Sequence, residues 1–299
     1  MIGVTILGGY LGAGKTTLVN QMLRQADGKR LAVLVNEFGA LPIDEDLIEA
    51  EGDTLISIAG GCICCSYGND MIQAMVDLQK LDPEPDHVVL ETSGVAIPGA
   101  IAATLSLLDG FALDGIVVLA DAETIQRQAS DAYMGDTVRQ QLADAHLLVL
   151  TKTDLVGETE LSATSDWLRS TAPHAAVILT SYGQVPNAVI MQGFDGRADG
   201  IRSAGPHQTV DFKSAILEIG VVSDAEAVAR ALADPALSLV RAKGFVATPA
   251  GLRTIQVVGR RWSVADAPAD AAPGLVVIGP TDTFDHVTIK RAAIAGLRS

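Results

Sequence analysis

Eight residues near the N-terminus, Gly9-Tyr10-Leu11-Gly12-Ala13-Gly14-Lys15-Thr16, restrict this chain more than any other feature in it. They match G-x-x-x-x-G-K-[ST] and stand between an apolar strand pattern at residues 4–7 and a helical pattern at 16–25. In that context the glycines let the backbone turn tightly, so that its N–H groups point at phosphate oxygens. The helix start adds the positive end of its dipole. Gly12, Ala13, Gly14, Lys15, Thr16 and Thr17 are therefore the candidate nucleotide contacts, with Lys15 reaching the β- and γ-phosphates and Thr16 ligating Mg²⁺. A dinucleotide fingerprint does not fit, because Gly12 and Gly14 lack a third glycine and are followed by a lysine.

The rest of the first half agrees with such a fold. Apolar strand patterns at residues 31–35, 54–58, 87–90, 115–120, 146–150 and 176–180 alternate with helical patterns at 71–78, 99–108, 137–145 and 161–170. Continuous apolar strands separated by helices predict an α/β fold, a P-loop NTPase whose mostly parallel sheet is covered by helices on both faces. Residues 183–208 are rich in glycine and proline and read as a linker with at most a short helix. Beyond them, strand patterns at 210–222, 238–246, 252–258 and 275–278 combine with helices at 224–232, capped by Ser223, and 287–297. The expected organisation is a nucleotide-hydrolase domain at 1–182, a linker at 183–208 and a small α+β domain at 209–299, which 299 residues can supply.

Charge narrows the partners. A formal net charge of −15 repels phosphate backbones, so no nucleic-acid partner is expected. No apolar run reaches the roughly 20 residues of a membrane span. The N-terminus lacks a basic leader and runs straight into the glycine-rich turn, so the expectation is a cytoplasmic protein without a membrane partner.

Two further segments suit a nucleotide site. Val88-Val89-Leu90-Glu91-Thr92-Ser93-Gly94 is an apolar strand ending in a carboxylate and then a glycine. Glu91 can hold Mg²⁺ through water or orient the attacking water, and the Gly94 N–H can sense the γ-phosphate. With Lys15 these are the catalytic candidates; the competing reading of Glu91 is a solvated strand end. After the strand at 146–150 comes Thr151-Lys152-Thr153-Asp154. It resembles the guanine-reading Asn-Lys-x-Asp motif of GTPases, with Asp154 accepting from guanine N1–H and N2–H₂ and the Lys152 stem covering the base plane. Thr151 stands where an asparagine is usual and removes an amide. The competing reading is a polar helix start capped by Asp154.

All three cysteines lie within four positions, in Gly60-Gly61-Cys62-Ile63-Cys64-Cys65. That is no disulfide framework. Three thiolates this close can share a borderline ion, Zn²⁺ by default, though a redox pair or small buried apolar residues also fit the spacing.

Taken in order, the P-loop at 9–16, Asn36-Glu37-Phe38-Gly39 with Asp44, the cysteine motif, Glu91-Thr92-Ser93-Gly94 and Thr151-Lys152-Thr153-Asp154 resemble the CobW-like metallochaperone GTPases, relatives of UreG and HypB. Arg241-Ala242-Lys243-Gly244 and Gln256-Val257-Val258-Gly259 look like that family's C-terminal domain, so the resemblance spans nearly the whole chain. It implies a P-loop GTPase domain followed by a small α+β domain. It implies a cysteine motif that binds Zn²⁺, or Co²⁺ or Fe²⁺, near the switch regions. Glu37 and Asp44 match switch carboxylates that serve Mg²⁺ or the transferred metal, although surface charge on a loop also accounts for them. Slow, metal-affected GTP hydrolysis would drive delivery to a client metalloprotein, with a nucleotide-dependent homodimer as a further expectation. One departure is the lack of a histidine-rich linker, since residues 183–208 hold only His207. The narrower alternative is a GTPase assisting cobalt or iron enzyme assembly, as in cobalamin synthesis or nitrile hydratase activation. A small-molecule kinase and a regulatory module with a structural zinc are the competing classes. A kinase needs an acceptor pocket and a catalytic base, and the sequence carries no clear signature of either.

Overall fold

The computed structural model describes residues 1–26, 28–35, 55–59, 69–191, 212–267, 271 and 273–295, with the backbone course alone at 55–59, 69, 70 and 212. The chain divides into two compact units.

The first unit begins with β1 (Ile2–Gly9) and α1 (Lys15–Arg24), then β2 (Leu31–Val35), β3 (Leu55–Ala59) and α2 (Asn69–Leu78). It continues through β4 (His87–Glu91), α3 (Pro98–Leu105), β5 (Phe111–Asp121), α4 (Ile125–Ala129) and α5 (Gly135–Asp144). β6 (Leu147–Thr151), α6 (Glu158–Thr171), β7 (Ala176–Leu179) and α7 (Asn187–Ile190) complete it. The seven strands form one sheet in the order β3-β2-β4-β1-β5-β6-β7. The pairings from β3 across to β6 are all parallel. β2, β4 and β6 are buried at every position, as strands covered on both faces must be. One side of the core packs Val4, Leu34, Met75, Leu78, Leu90 and Leu105 together, which joins β1, β2 and β4 to α2 and α3. This is the expected P-loop NTPase architecture.

Parallel pairing has a consequence for function, because it puts the carboxyl ends of all these strands along one rim. Leu7 of β1 lies in register with Glu91 of β4, and Glu91 with Val35 of β2. On the other side, Asp121 of β5 is level with Thr151 of β6. The sequence order jumps outward from β1 in both directions, which makes this rim the place where ligands bind in open α/β sheets.

Of the stretch read as a linker, residues 183–191 are described, and they carry α7 with Val185, Val189 and Ile190 buried. The second unit contains β8 (Phe212–Leu217), α8 (Ala225–Leu232), β9 (Arg241–Thr248), β10 (Gly251–Val258), β11 (Arg261–Asp266), β12 (Gly274–Pro280) and α9 (His286–Ala295). Its sheet runs β11-β10-β9-β12-β8 and every pairing is antiparallel. α8 buries Ala225, Val228, Ala229 and Leu232, a stripe at helical spacing, against Ile255, Val257 and Leu275 of the sheet. Asp224, rather than Ser223, caps this helix: its carboxylate accepts from the N–H groups of Glu226 at 2.8 Å and Ala227 at 3.1 Å. Either residue type can cap, and the charged one also favours the helix dipole. Among the described residues, no helix is long and apolar enough to cross a membrane.

Candidate functional site at the carboxyl rim of the parallel sheet

The phosphate loop leaves β1 and enters α1 through Gly14, whose φ of +94° is a left-handed conformation that glycine adopts without strain. Gly14 brings no side chain to cap the helix, and the first turn of α1 holds no acidic residue. No side-chain cap therefore stands at that turn, the arrangement in which a helix start can receive an anion. Lys15 Nζ donates to the Gly9 carbonyl at 3.0 Å, a bond that closes the loop from the first residue of its motif to the seventh. Ala13 N–H donates to the Tyr10 carbonyl at 3.1 Å and tightens the turn between them. Thr16 is half-buried and Thr17 exposed at the helix start.

Glu91 is buried at the end of β4, so the reading of a solvated strand end is overturned. Beyond it, Thr92 N–H donates to the Leu7 carbonyl at 2.9 Å, which draws the segment across the end of β1. Gly94 then lies against the phosphate loop. A Cβ built on it would sit 2.8 Å from the Leu11 backbone nitrogen and 2.7 Å from Leu11 Cδ2, so no residue with a side chain fits there. Ser93 Oγ, between Glu91 and Gly94, is buried without a hydrogen-bond partner among the described residues. A buried hydroxyl in that condition costs free energy unless a ligand completes it, and polar oxygen chemistry suits it. For Mg²⁺ the Thr16 hydroxyl and the Glu91 carboxylate are hard oxygen donors of the right kind.

The base motif is braced against the phosphate loop. Thr151, buried at the end of β6, donates its hydroxyl to the Ala13 carbonyl at 2.8 Å, with the Ala120 carbonyl at 3.2 Å. The hydroxyl therefore supplies a donor at the position where the missing amide was noted. Lys152 has a φ of +56°, and its Nζ forms an ion pair with Asp121 Oδ2 at 2.6 Å. Asp121 Oδ1 also accepts from the Glu123 N–H at 2.9 Å, so the carboxylate is held from both sides. Asp154 is exposed within a 3₁₀ turn, Thr153–Leu155, and the helix start at Glu158 is preceded by Gly157. Asp154 is thus not the cap of a helix, and the competing reading of this motif fails. Thr153 Oγ1 shares a 2.9 Å hydrogen bond with Ser181 Oγ, which ties the base motif to the loop after β7. Gly183 of that loop packs on α1, where a Cβ would meet Leu18 Cα at 3.2 Å.

The fold therefore brings the phosphate loop, Glu91 to Gly94, and Lys152 to Asp154 to one rim. Cys62, Cys64, Cys65, Glu37 and Asp44 lie outside the described residues, and among the described residues no three or more His, Cys, Asp and Glu side chains come together in a group that could hold a metal ion. Sequence reasoning missed Asp121, although an apolar strand ending in a carboxylate was the same signal that picked out Glu91. It also missed Ser181, whose contact with Thr153 only the assembled sheet creates.

Comparisons with known proteins agree with this geometry. The family described as CobW/HypB/UreG, nucleotide-binding domain, matches residues 3–179. A zinc chaperone CobW from Sinorhizobium sp is 30% identical over 99% of this chain and 97% of its own length. The zinc chaperone YjiA of Escherichia coli is 37% identical over 53% of this chain and 52% of its own. A Zn(II)-bound triple-mutant YjiA GTPase superposes over 100% of this chain and 99% of its own, with a TM-score of 0.50 and 26% identity. With a phosphate loop, a base motif braced on it and a family match over most of the chain, the protein belongs to the CobW/HypB/UreG family and is a P-loop GTPase.

Proposed function

We propose that this GTPase is a metallochaperone that takes up zinc at Cys62, Cys64 and Cys65 and delivers it to a client metalloprotein. The observation that carries the reading is the alignment of strand ends at the rim. Val35, the last residue of β2, stands in register with both Ala59, the last of β3, and Glu91. The chain leaves β2 there one residue before Asn36-Glu37, and leaves β3 three residues before Cys62. Three strand spacings separate β3 from β1, about 14 Å at roughly 4.8 Å each. A switch segment following β2 and a thiol cluster following β3 thus set out from the same rim as the phosphate loop. The relative matched along its whole length is itself named a zinc chaperone.

In this reading Gly12 to Thr17 bind the phosphates, Lys15 neutralises charge on the γ-phosphate, and Asp154 reads guanine. Glu91 positions the water that attacks the γ-phosphorus; the oxygen bridging to the β-phosphate leaves on GDP. Mg²⁺, held through Thr16 and Glu91, would supply charge compensation between the β- and γ-phosphates. Zinc is cargo. Thiolates bind it only when deprotonated, so its affinity rises with pH. Glu37 and Asp44 are the switch carboxylates proposed to couple the two sites.

The test is a triple substitution of Cys62, Cys64 and Cys65 to serine. Stoichiometric zinc, measured by metal analysis after gel filtration, is lost, while GDP binding is retained. Tight zinc in that variant would refute transfer through these thiols. Zinc held with an exchange rate indifferent to GTP and GDP would reduce the cysteines to a structural site.

A further inference from the structure

One buried polar side chain in the first unit is not used by the nucleotide reading. Gln141 of α5 is 1% exposed. Its Nε2 donates to two carbonyls of the segment after Glu91: Gly94 at 3.1 Å and Ala96 at 2.8 Å. One turn further along the helix, Asp144 Oδ2 accepts from the Gly99 N–H at 2.8 Å, at the start of α3. α5 thus grips the connection between β4 and α3 at three backbone points. The same connection is pressed from the opposite direction, since Gly94 has no room for a Cβ against Leu11 of the phosphate loop. A helix interior is a poor place for an amide unless both its hydrogens are occupied, and here they are.

We infer that Gln141 is the positioning residue for the γ-phosphate sensor. It anchors the segment that carries the Gly94 N–H, through the Gly94 and Ala96 carbonyls, while Leu11 limits how closely Gly94 can approach the phosphate loop. The inference rests on the reading that Gly94 senses the γ-phosphate. The Gly94 carbonyl shares its peptide plane with the Val95 N–H, so Gln141 fixes that plane directly and acts on the Gly94 N–H through the position of Gly94 itself. Donors aimed in advance at the transferred group contribute most where reorganisation is avoided. Gln141 touches neither nucleotide nor metal ligand in this reading. Its effect should appear only with ligands that carry a γ-phosphate.

The experiment uses the full chain. Gln141→Leu keeps the volume and removes both N–H donors; Gln141→Met keeps the length and likewise brings no N–H donor. Fluorescent GDP and a non-hydrolysable GTP analogue are titrated, and phosphate release is followed at saturating GTP. Both variants are expected to lose about tenfold in kcat and in affinity for the analogue while GDP affinity stays at the wild-type value. GDP binding also certifies the fold, so a misfolded Leu variant leaves the Met variant to decide. Unchanged hydrolysis in a variant that binds GDP normally would overturn the inference, as would equal losses for GDP and the analogue. Gly94→Ala separates the two levels. If it too hydrolyses normally, the sensor reading is wrong. If it is inactive while both Gln141 variants are normal, only the positioning role falls.

Discussion

Replacing Asp121 with asparagine isolates the contribution of one carboxylate to the base site. Its side chain is 6% exposed, and its partner Lys152 is 37% exposed. Breaking a fully buried pair costs roughly 3–5 kcal/mol, whereas a solvent-exposed pair contributes about 0–1 kcal/mol. This pair lies between those limits, because water reaches the ammonium but not the carboxylate. Asparagine keeps its one carbonyl oxygen for the Glu123 N–H, which turns the amide NH2 toward Lys152, and the partly exposed ammonium can then turn to water. The remaining loss is about 1–2 kcal/mol. If all of it falls on the placement of Lys152 over the base, the dissociation constant for GDP rises roughly five- to thirtyfold. The assay is displacement of a fluorescent GDP analogue, run beside thermal melting of the nucleotide-free protein. A variant that melts at a lower temperature but binds GDP as tightly as the wild type would show that the pair serves the sheet alone. It would refute the argument that Asp121 prepares the base site.

Thr151→Val removes the hydroxyl bond to the Ala13 carbonyl and should weaken GDP about tenfold, while Thr151→Ser retains the donor and should bind normally in the same titration. Leu232→Ala empties the centre of the α8 interface and should cost roughly 2–5 kcal/mol in urea unfolding of the second unit. Asp285 is held below its ordinary carboxylate value of 3.8, first by the Thr288 hydroxyl and then by the N–H groups of Thr288 and Val287. A depressed value stabilises the fold above the unfolded pKa, and that gain disappears as pH falls through the folded one. Asp285→Ala should therefore melt below the wild type at neutral pH, and the difference should close below about pH 3.8.

The parallel sheet was legible because its strands are short unbroken apolar runs. β2 falls at residues 31–35 as its periodicity predicts, and β4 differs only by including Glu91. Short or polar elements were hidden. β11 is mostly exposed and only six residues long, with Ser263 between Trp262 and Val264 and a charged residue at each end, so it has no continuous apolar signal. α4 is five residues, too short for helical spacing to show. At the site, motif positions could be read from the sequence because glycine, lysine and carboxylate types at fixed spacing carry chemistry wherever they occur. Gln141 and Ser181 could not. Each acts on a segment distant in the chain, and nothing local marks the residue it will meet.

The register of the sheet also sets when this protein can begin to work. Leu7 finds Glu91, and Ala13 finds Thr151, only after long intervening stretches have been made and threaded into neighbouring strands. The phosphate loop is made well before the parts that steady it, since Thr151 follows Ala13 by 138 residues. Once complete, the same dispersal turns the ligand into a clasp. A bound guanine nucleotide joins segments from both ends of the unit, so cellular GTP and GDP levels bear directly on how long the fold survives.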